Sequence, residues 1–359
     1  MKVKKIELHN FRSYEKLEMA FNSGCSIIVG PNATGKSSIL EAFCVLGTTK
    51  SFRKAKDSDL VRFGEKNFYI QGIVENDDET SNYKVSVSFF EGFKKTTKNE
   101  NTFKKISDYL NCLYVVSFST FDFLLINGSP LDRRKFLNLL NVQIENKNSS
   151  FLNEYEKILK EKNFLLKKYK MTNRQNDLEL LKILSFQLIE KGKKIITMRE
   201  EIIKKINTYF DEKYKKLSGS AHDLVEIKYS CNVFADRFEE ELEENLNEEI
   251  EKGVTLKGPH RDDFLIMFNG KNIAISGSQG QQRDALLALK ISVAKIIFDE
   301  KKENPVLLLD DVFSELDSER QNRIIKSLDK KMQTIITTTT LSDIKKEILS
   351  TATVIELRR

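Results

Sequence analysis

The sequence predicts an α/β fold, split in sequence by an inserted and mainly helical lobe, and three observations predict it. Strand-like runs occupy both ends of the chain, alternating as in Lys5-Ile6-Glu7-Leu8 or wholly apolar as in Val306-Leu307-Leu308-Leu309. From Pro130 the apolar period changes to three and four residues through the middle of the chain. A glycine-bearing loop, residues 30–37, stands between an apolar strand and an apolar helix, the setting of a phosphate-binding turn. The expected boundaries are 1–125 for the first part of the α/β lobe, 126–253 for the insert and 254–359 for the second part.

In chain order, Lys5 to Leu8 and Tyr83 to Val87 alternate as half-exposed strands, with Glu91-Gly92 as a turn, and Leu113 to Val116 is a short buried strand. Phe151, Leu152, Tyr155, Ile158, Leu159, Leu165, Leu166 and Tyr169 mark one amphipathic helix. Leu181, Leu184, Leu188, Ile195, Ile202, Ile206 and Tyr209 mark a second, ~30 residues or ~45 Å long. Polar residues at Thr172-Asn173 suit an antiparallel hairpin, and Gly192 interrupts the heptads that a sustained coiled coil needs. Phe238, Leu242, Leu246 and Ile250 form a further stripe within the acidic run 239–251, read as a solvated face closed by Gly253. Asn269-Gly270 predicts a tight hairpin between Phe264–Phe268 and Lys271–Ile273. Thr334 to Thr338 and Thr353 to Leu357 are the last strands.

Composition bounds the function. With 59 basic and 53 acidic side chains in 359 residues the net charge is +6, which permits a polyanionic partner without demanding one. Four scattered cysteines and three histidines offer no zinc set at ordinary spacing, and the cysteines are expected reduced and buried. No stretch approaches the ~20 apolar residues of a membrane span, and Met1 to Phe11 does not read as a signal peptide. A cytoplasmic protein without a membrane partner is expected.

The chemistry starts at Gly30-Pro31-Asn32-Ala33-Thr34-Gly35-Lys36-Ser37, which fits GxxxxGK[ST] between the strand Ser26–Val29 and the helical run beginning at Ser38. Backbone N–H groups of such a loop cradle phosphates, Lys36 reaches the β- and γ-phosphates of ATP, and Ser37 ligates Mg²⁺. Val306 to Asp311 supplies the complement: Asp310 is placed beside the loop to hold Mg²⁺, and Asp311 to polarise an attacking water. A second turn, Ser276 to Arg283, opens another helix. One protomer has no evident need for two phosphate sites. Two facing protomers would let Ser278 and Gly280, with Gln281, meet the nucleotide held by Lys36 of the other. The order of these elements resembles the ATP sandwich of ABC-type P-loop ATPases, with Ser314-Glu315-Leu316-Asp317 at the D-loop position.

With these motifs placed, the whole chain resembles the RecF family of the SMC/ABC-type ATPases. The resemblance is carried by LHNFRSYEKLEMAF, GPNATGKSSILEAF, INGSPLDRRKFLN, LKGPHRDDF, SGSQGQQRDALLALK, PVLLLDDVFSELD and QTIITTT, in that order. GSPxxRR and GPHRDD are the segments that set this family apart. The resemblance implies a slow, DNA-stimulated ATPase that dimerises on ATP. It would bind single-stranded, gapped or junction DNA and help RecO and RecR load RecA. DNA replication, recombinational repair and the SOS response are its expected settings. It also implies that Arg12 approaches the nucleotide, against the alternative of a structural salt bridge. An SMC-like ATPase bridging DNA is the alternative function, weakened by a short insert lacking a Cys-x-x-Cys hook.

Departures from the family pattern bear on mechanism. Ser119-Thr120-Phe121-Asp122 stands where the family reads Ser-Pro-Glu-Asp, which leaves a switch-loop role open. Ala33 replaces a common glycine, a tolerable change at negative φ. Asp284 occupies a position where a small polar residue is commoner, and Thr337 to Thr339 stand in place of a switch histidine. With Asp311 as the base, slow hydrolysis is expected. His260 is read as structural, while Arg133, Arg134 and Arg261 either tie the lobe together or touch DNA. Lys50, Arg53, Lys54 and Lys56, and Lys94, Lys95 and Lys98, are either phosphate-directed DNA contacts or solvated faces.

Overall fold

The computed structural model describes residues 1–359 except 79–80, 314–317, 342–343, 345 and 359 and the side chains of 318, 347 and 348. The chain forms two compact units, Met1–Phe123 with Tyr209–Leu224 and Gly277–Arg359, and Leu124–Thr208 with Val225–Ser276.

The first unit begins with β1 (Lys2–Phe11), β2 (Tyr14–Ala20), β3 (Cys25–Val29), α1 (Lys36–Thr48), α2 (Asp57–Leu60), β4 (Asn67–Glu75), β5 (Asn82–Phe90), β6 (Phe93–Lys98), β7 (Asn101–Thr102), α3 (Ile106–Tyr109) and β8 (Val115–Phe118). Its two sheets differ as their sequence patterns require. The alternating strands pair antiparallel in the order β2-β1-β4-β5-β6-β7, one face buried and the other wet. The buried strand near Leu113 lies two residues later than expected, as β8. The other sheet is wholly parallel and takes in strands from the far end of the chain, described below. Helix α1 is buried on every residue but Ser37, the pattern of a helix covered all round.

The second unit contains α4 (Leu124–Asn127), α5 (Pro130–Ile144), α6 (Asn148–Thr172), the greater part of α7 (Gln175–Ser218), β9 (Val225–Ser230), α8 (Phe238–Glu244), α9 (Leu246–Lys252), β10 (Asp263–Phe268), β11 (Lys271–Asn272) and α10 (Ile273–Ser276). Helix α6 stops at Asn173, whose φ of 47° breaks the ladder. Leu165, Leu166, Leu181 and Leu184 then join α6 to α7 as the expected hairpin. Helix α7 runs for 44 residues, longer than the ~30 expected because it extends to Gln175 and Ser218 at its two ends, and it passes through Gly192 unbroken. A side chain there would meet the Phe238 ring at 2.4 Å, so this glycine is a packing site. The stripe 238–250 is two helices, broken at Asn245 and capped by Gly253. Its acidic run is not wholly solvated. Glu249 is fully buried and accepts from Lys162 Nζ at 2.7 Å, itself fully buried.

The insert expected at 126–253 therefore differs from the observed second unit. The first break falls at 123/124. Residues 254–276 stay with the helical unit because β10 pairs along its whole length with β9, from Asp263↔Ser230 to Phe268↔Val225. Residues 209–224 belong to the first unit instead. The Asn269-Gly270 hairpin forms as expected, with φ of 48° and 76°.

The chain completes the first unit with α11 (Gln279–Lys301), β12 (Val306–Asp310), α12 (Ser318–Ser327), β13 (Thr334–Thr338) and β14 (Thr353–Glu356). The parallel sheet has the order β14-β3-β13-β12-β8. No described helix is long and apolar enough to cross a membrane. Cys44 and Cys112 are buried, Cys25 and Cys231 half-buried, and all four are free thiols.

Candidate nucleotide site

Strand β3, paired on one side with β14 and on the other with β13, delivers the loop 30–35 to α1 at its C-terminal end. Gly35 takes φ 95°, and a side chain there would lie 2.5 Å from the Tyr14 hydroxyl. That hydroxyl donates to the Thr34 carbonyl at 3.2 Å, and Thr34 Oγ1 donates to Pro31 O at 2.9 Å, so the loop is clasped from outside and within. Ala33 has φ 65°. The negative φ that would ease the loss of glycine is absent, and the left-handed conformation stores of order 1 kcal/mol in the loop.

Lys36 is buried, and its Nζ donates to the carbonyls of Gly30 at 2.6 Å and Pro31 at 2.8 Å. Desolvation lowers its pKa, while Asp311 and Asp310 act in the opposite sense. A buried ammonium held by two neutral carbonyls is a site completed by a polyanion.

The carboxylate strand is not adjacent to the loop strand. Strand β13 lies between β3 and β12, so Asp310 stands two strand spacings, ~10 Å, from the loop strand. Thr337 on β13 bridges the gap in bonding. Its Oγ1 donates to Asp310 Oδ1 at 2.8 Å and accepts from Asp311 N at 3.0 Å. Asp311 has φ 52°, a left-handed non-glycine residue just past the strand end. Arg283 Nη2 reaches the Asp311 carbonyl at 3.3 Å from the first turns of α11.

A cavity of 240 Å³ joins these parts. The loop contributes Asn32, Ala33, Gly35, Lys36, Ser37 and Ser38, and Asp311, Thr337, Thr339, Ser13 and Arg53 close it. Gly30, Pro31, Thr34 and Asp310 support the walls without lining them. Arg53, read from sequence only within a lysine-rich patch, is one of the lining residues. It stacks on Phe52 at 5.8 Å, and its buried Nε has no hydrogen-bond partner. Nothing local in the sequence separates it from its lysine neighbours. Arg12 does not line the cavity, although its neighbour Ser13 does, and is forked onto buried Glu41 at 2.8 and 2.6 Å.

Ser278, Gly280 and Gln281 do not line this cavity. Ser278 caps α11: its Oγ accepts from Gln281 N at 3.3 Å, and its N–H donates to the Gln281 side chain at 2.8 Å. Asp122 pairs with Lys290 of α11 at 2.6 Å and accepts from Ser119 N at 2.8 Å. The two residues kept from the family pattern thus hold the segment, while Phe121 contacts Phe52 at 6.4 Å. The D-loop segment Ser314–Asp317 lies outside the described residues. Within the lysine-rich patches, Lys94 pairs with Asp57 at 2.6 Å and Lys98 lies on the Tyr83 ring at 4.0 Å.

A phosphate-binding loop and an Asp-tipped strand flanking one strand of a parallel sheet define a P-loop ATPase lobe of the SMC-head class. The chain matches the family described as RecF/RecN/SMC N terminal domain over residues 2–355. It is 36% identical to the DNA replication and repair protein RecF of Bacillus cereus (strain G9842), over 99% of this chain and 97% of that one. The RecF of Bacillus thuringiensis (strain Al Hakam) matches at the same identity and coverage. The solved "recombination mediator protein RecF-ATP in RecFOR pathway" superposes with a TM-score of 0.88 at 35% identity, covering 96% of this chain and 93% of that one. An SMC head bound to the C-winged helix domain of ScpA has a TM-score of 0.56 at 18% identity, covering 100% and 95%, a likeness of fold alone. The chain belongs to the RecF family.

Proposed function

We propose that this protein is an ATP-dependent, DNA-binding mediator of recombinational repair. The observation that carries the reading is Lys36, an ammonium buried against two carbonyls at the mouth of a cavity shared with Asp311 and Thr337. The relative solved as RecF-ATP supports ATP as the ligand. Mg²⁺ fits the donor set. Among the described residues no cluster of three His, Cys, Asp or Glu could hold a metal, so the ion would rest on Ser37, Asp310, phosphate oxygens and water. When bound, it would neutralise charge on the β- and γ-phosphates. Lys36 binds the same phosphates, Thr337 orients Asp310, and Asp311 takes the proton of the attacking water. A short carboxylate in a strained backbone suits slow turnover, stimulated by DNA, and a timing role.

Ser278, Gly280 and Gln281 complete the site from a second protomer, so nucleotide closes a homodimer around DNA at a gap or a single-strand/duplex junction. Arg12, forked onto Glu41 beside the loop helix, contacts the nucleotide when the dimer closes. RecR is the direct partner, with RecO and RecA in the pathway. The cytoplasm, DNA replication and the SOS response are the setting. Against a bridging role of the SMC kind stand the lengths of the hairpin helices, 25 and 44 residues.

The test is light scattering with Mg·ATP on two variants. Lys36→Met should lose ATP binding. Ser278→Arg should bind ATP and stay monomeric. A Ser278→Arg variant that dimerises normally would remove the shared site, and ATP binding by Lys36→Met would remove the nucleotide assignment.

A further inference from the structure

The two segments that set the family apart meet within the second unit, which contains no residue given a nucleotide role. Together Ser129, Pro130, Leu131, Arg134, His260 and Arg261 line one cavity of 460 Å³. Arg134 and Arg261 line it, and among the described residues neither forms an ion pair with a carboxylate, Asp262 and Asp263 acting on Arg134 only at longer range. Arg134 Nη1 donates to the Asp262 carbonyl at 2.7 Å, and Arg261 Nη2 to the Thr255 carbonyl at 3.3 Å.

The nearby acids are engaged elsewhere. Asp263 takes the fork of Arg133 at 2.6 and 2.8 Å. Asp262 is fully buried and accepts from Arg199, Tyr229 and Asn232 N. Asp132 is turned back onto Ser129 at 2.9 Å. Nor can His260 supply charge: burial lowers its pKa to about 4. It is a neutral ring, with Nε2 donating to Thr255 O and Nδ1 accepting from the Tyr155 hydroxyl. Desolvation and the charges of Arg199 and Arg261 lower the pKa of Arg134, and Asp263 and Asp262 offset them only in part. Pro130 and Leu131 give the pocket an apolar side, with Leu131 49% exposed.

We propose that this pocket binds a carboxylate of a partner protein, carried on a peptide segment whose apolar side chain packs on Leu131 and Pro130. A planar guanidinium pair matches a carboxylate's two oxygens. The apolar wall argues against a nucleic-acid phosphate, which arrives between sugars and has nothing to bury there. Phosphate contacts are commonly made by exposed basic side chains spread along a surface.

The test uses the full-length protein and the probe N-acetyl-4-fluorophenylalanine, followed by ¹⁹F line width. The free acid should bind saturably and its primary amide about tenfold more weakly, the ratio expected for loss of a charge-assisted pair. Arg261→Gln, at an exposed side chain, and Leu131→Ser should each weaken the acid by a similar factor without shifting the unfolding transition. Equal binding of acid and amide would reduce the site to an apolar patch and overturn the proposal, as would no saturable binding. Displacement of the acid by a dT15 oligonucleotide, with loss of that displacement in Arg261→Gln, would give the pocket to nucleic acid instead. Should a variant fail to fold, the comparison of acid with amide on the unaltered protein decides.

Discussion

Thr337→Val is the most informative single change in the nucleotide site, because it alters bonding without altering shape. Thr337 is 1% exposed, and its hydroxyl serves both halves of the acidic pair. Removing it leaves the Asp311 N–H without that acceptor, which costs about 1–3 kcal/mol when the group is buried. The loss at Asp310 is smaller, since this carboxylate is half-exposed and water replaces the donor. A destabilisation of about 2 kcal/mol is expected from the two together. The functional effect is separable. A carboxylate freed from its orienting donor should bind Mg²⁺ about tenfold more weakly, the low end for residues that position metal ligands. Urea unfolding reads the first quantity. A Mg²⁺ titration of ATP hydrolysis reads the second. Thr337→Ser keeps the hydroxyl and should restore the Mg²⁺ dependence. If Thr337→Val loses stability but keeps its Mg²⁺ half-saturation, the residue only braces the sheet and the reasoning fails.

Glu249→Ala should destabilise by about 3–5 kcal/mol, because Lys162 would remain charged in a fully buried site. Lys162→Met with Glu249→Leu should recover most of that, short of the bond from Leu256 N to Glu249, and urea denaturation of the unaltered protein and both variants checks it. His260 is neutral in the folded state, with a pKa of about 4 against 6.5 unfolded. Its contribution is therefore complete above pH ~6.5 and is lost as pH falls towards 4, about 3 kcal/mol in all. A pH series of unfolding free energies should show that slope, and His260→Gln should flatten it. Asp311→Asn should lower ATP turnover by about 100-fold, within the usual range for a general base, while ATP-bound dimer accumulates in light scattering. Undiminished turnover would move the base elsewhere.

What was legible in the sequence was whatever a local pattern enforces. The loop 30–37, the Asn269-Gly270 hairpin and the apolar run at Val306 each carry their geometry in consecutive residues, and each folds as read. Contacts between distant segments were not legible. No pattern near Thr337 announces its bond to Asp310, and none near Gly192 announces the Phe238 ring. The boundary at 253 failed for the same reason: Gly253 does end a helix, but the pairing of β10 with β9 decides which unit follows it. Likewise only the fold shows that Glu41 faces Arg12 and that Arg53 lines the cavity.

The turn at Ser278 shows how one residue can serve its own helix and still be ready for a ligand. A hydroxyl has one proton and two lone pairs. In the capping box Ser278 Oγ uses a lone pair to accept from Gln281 N, so its proton is not consumed by the cap. The same hydroxyl can therefore donate to a phosphate from a second protomer without breaking the turn that aims it. Alanine here should lose both the cap, about 1 kcal/mol, and the donor. Threonine keeps both, so a difference between the two in ATP-dependent dimerisation measures the donor once their stabilities are compared. Dimerisation that follows stability alone, with no further loss in the alanine variant, would leave Ser278 a cap and nothing more.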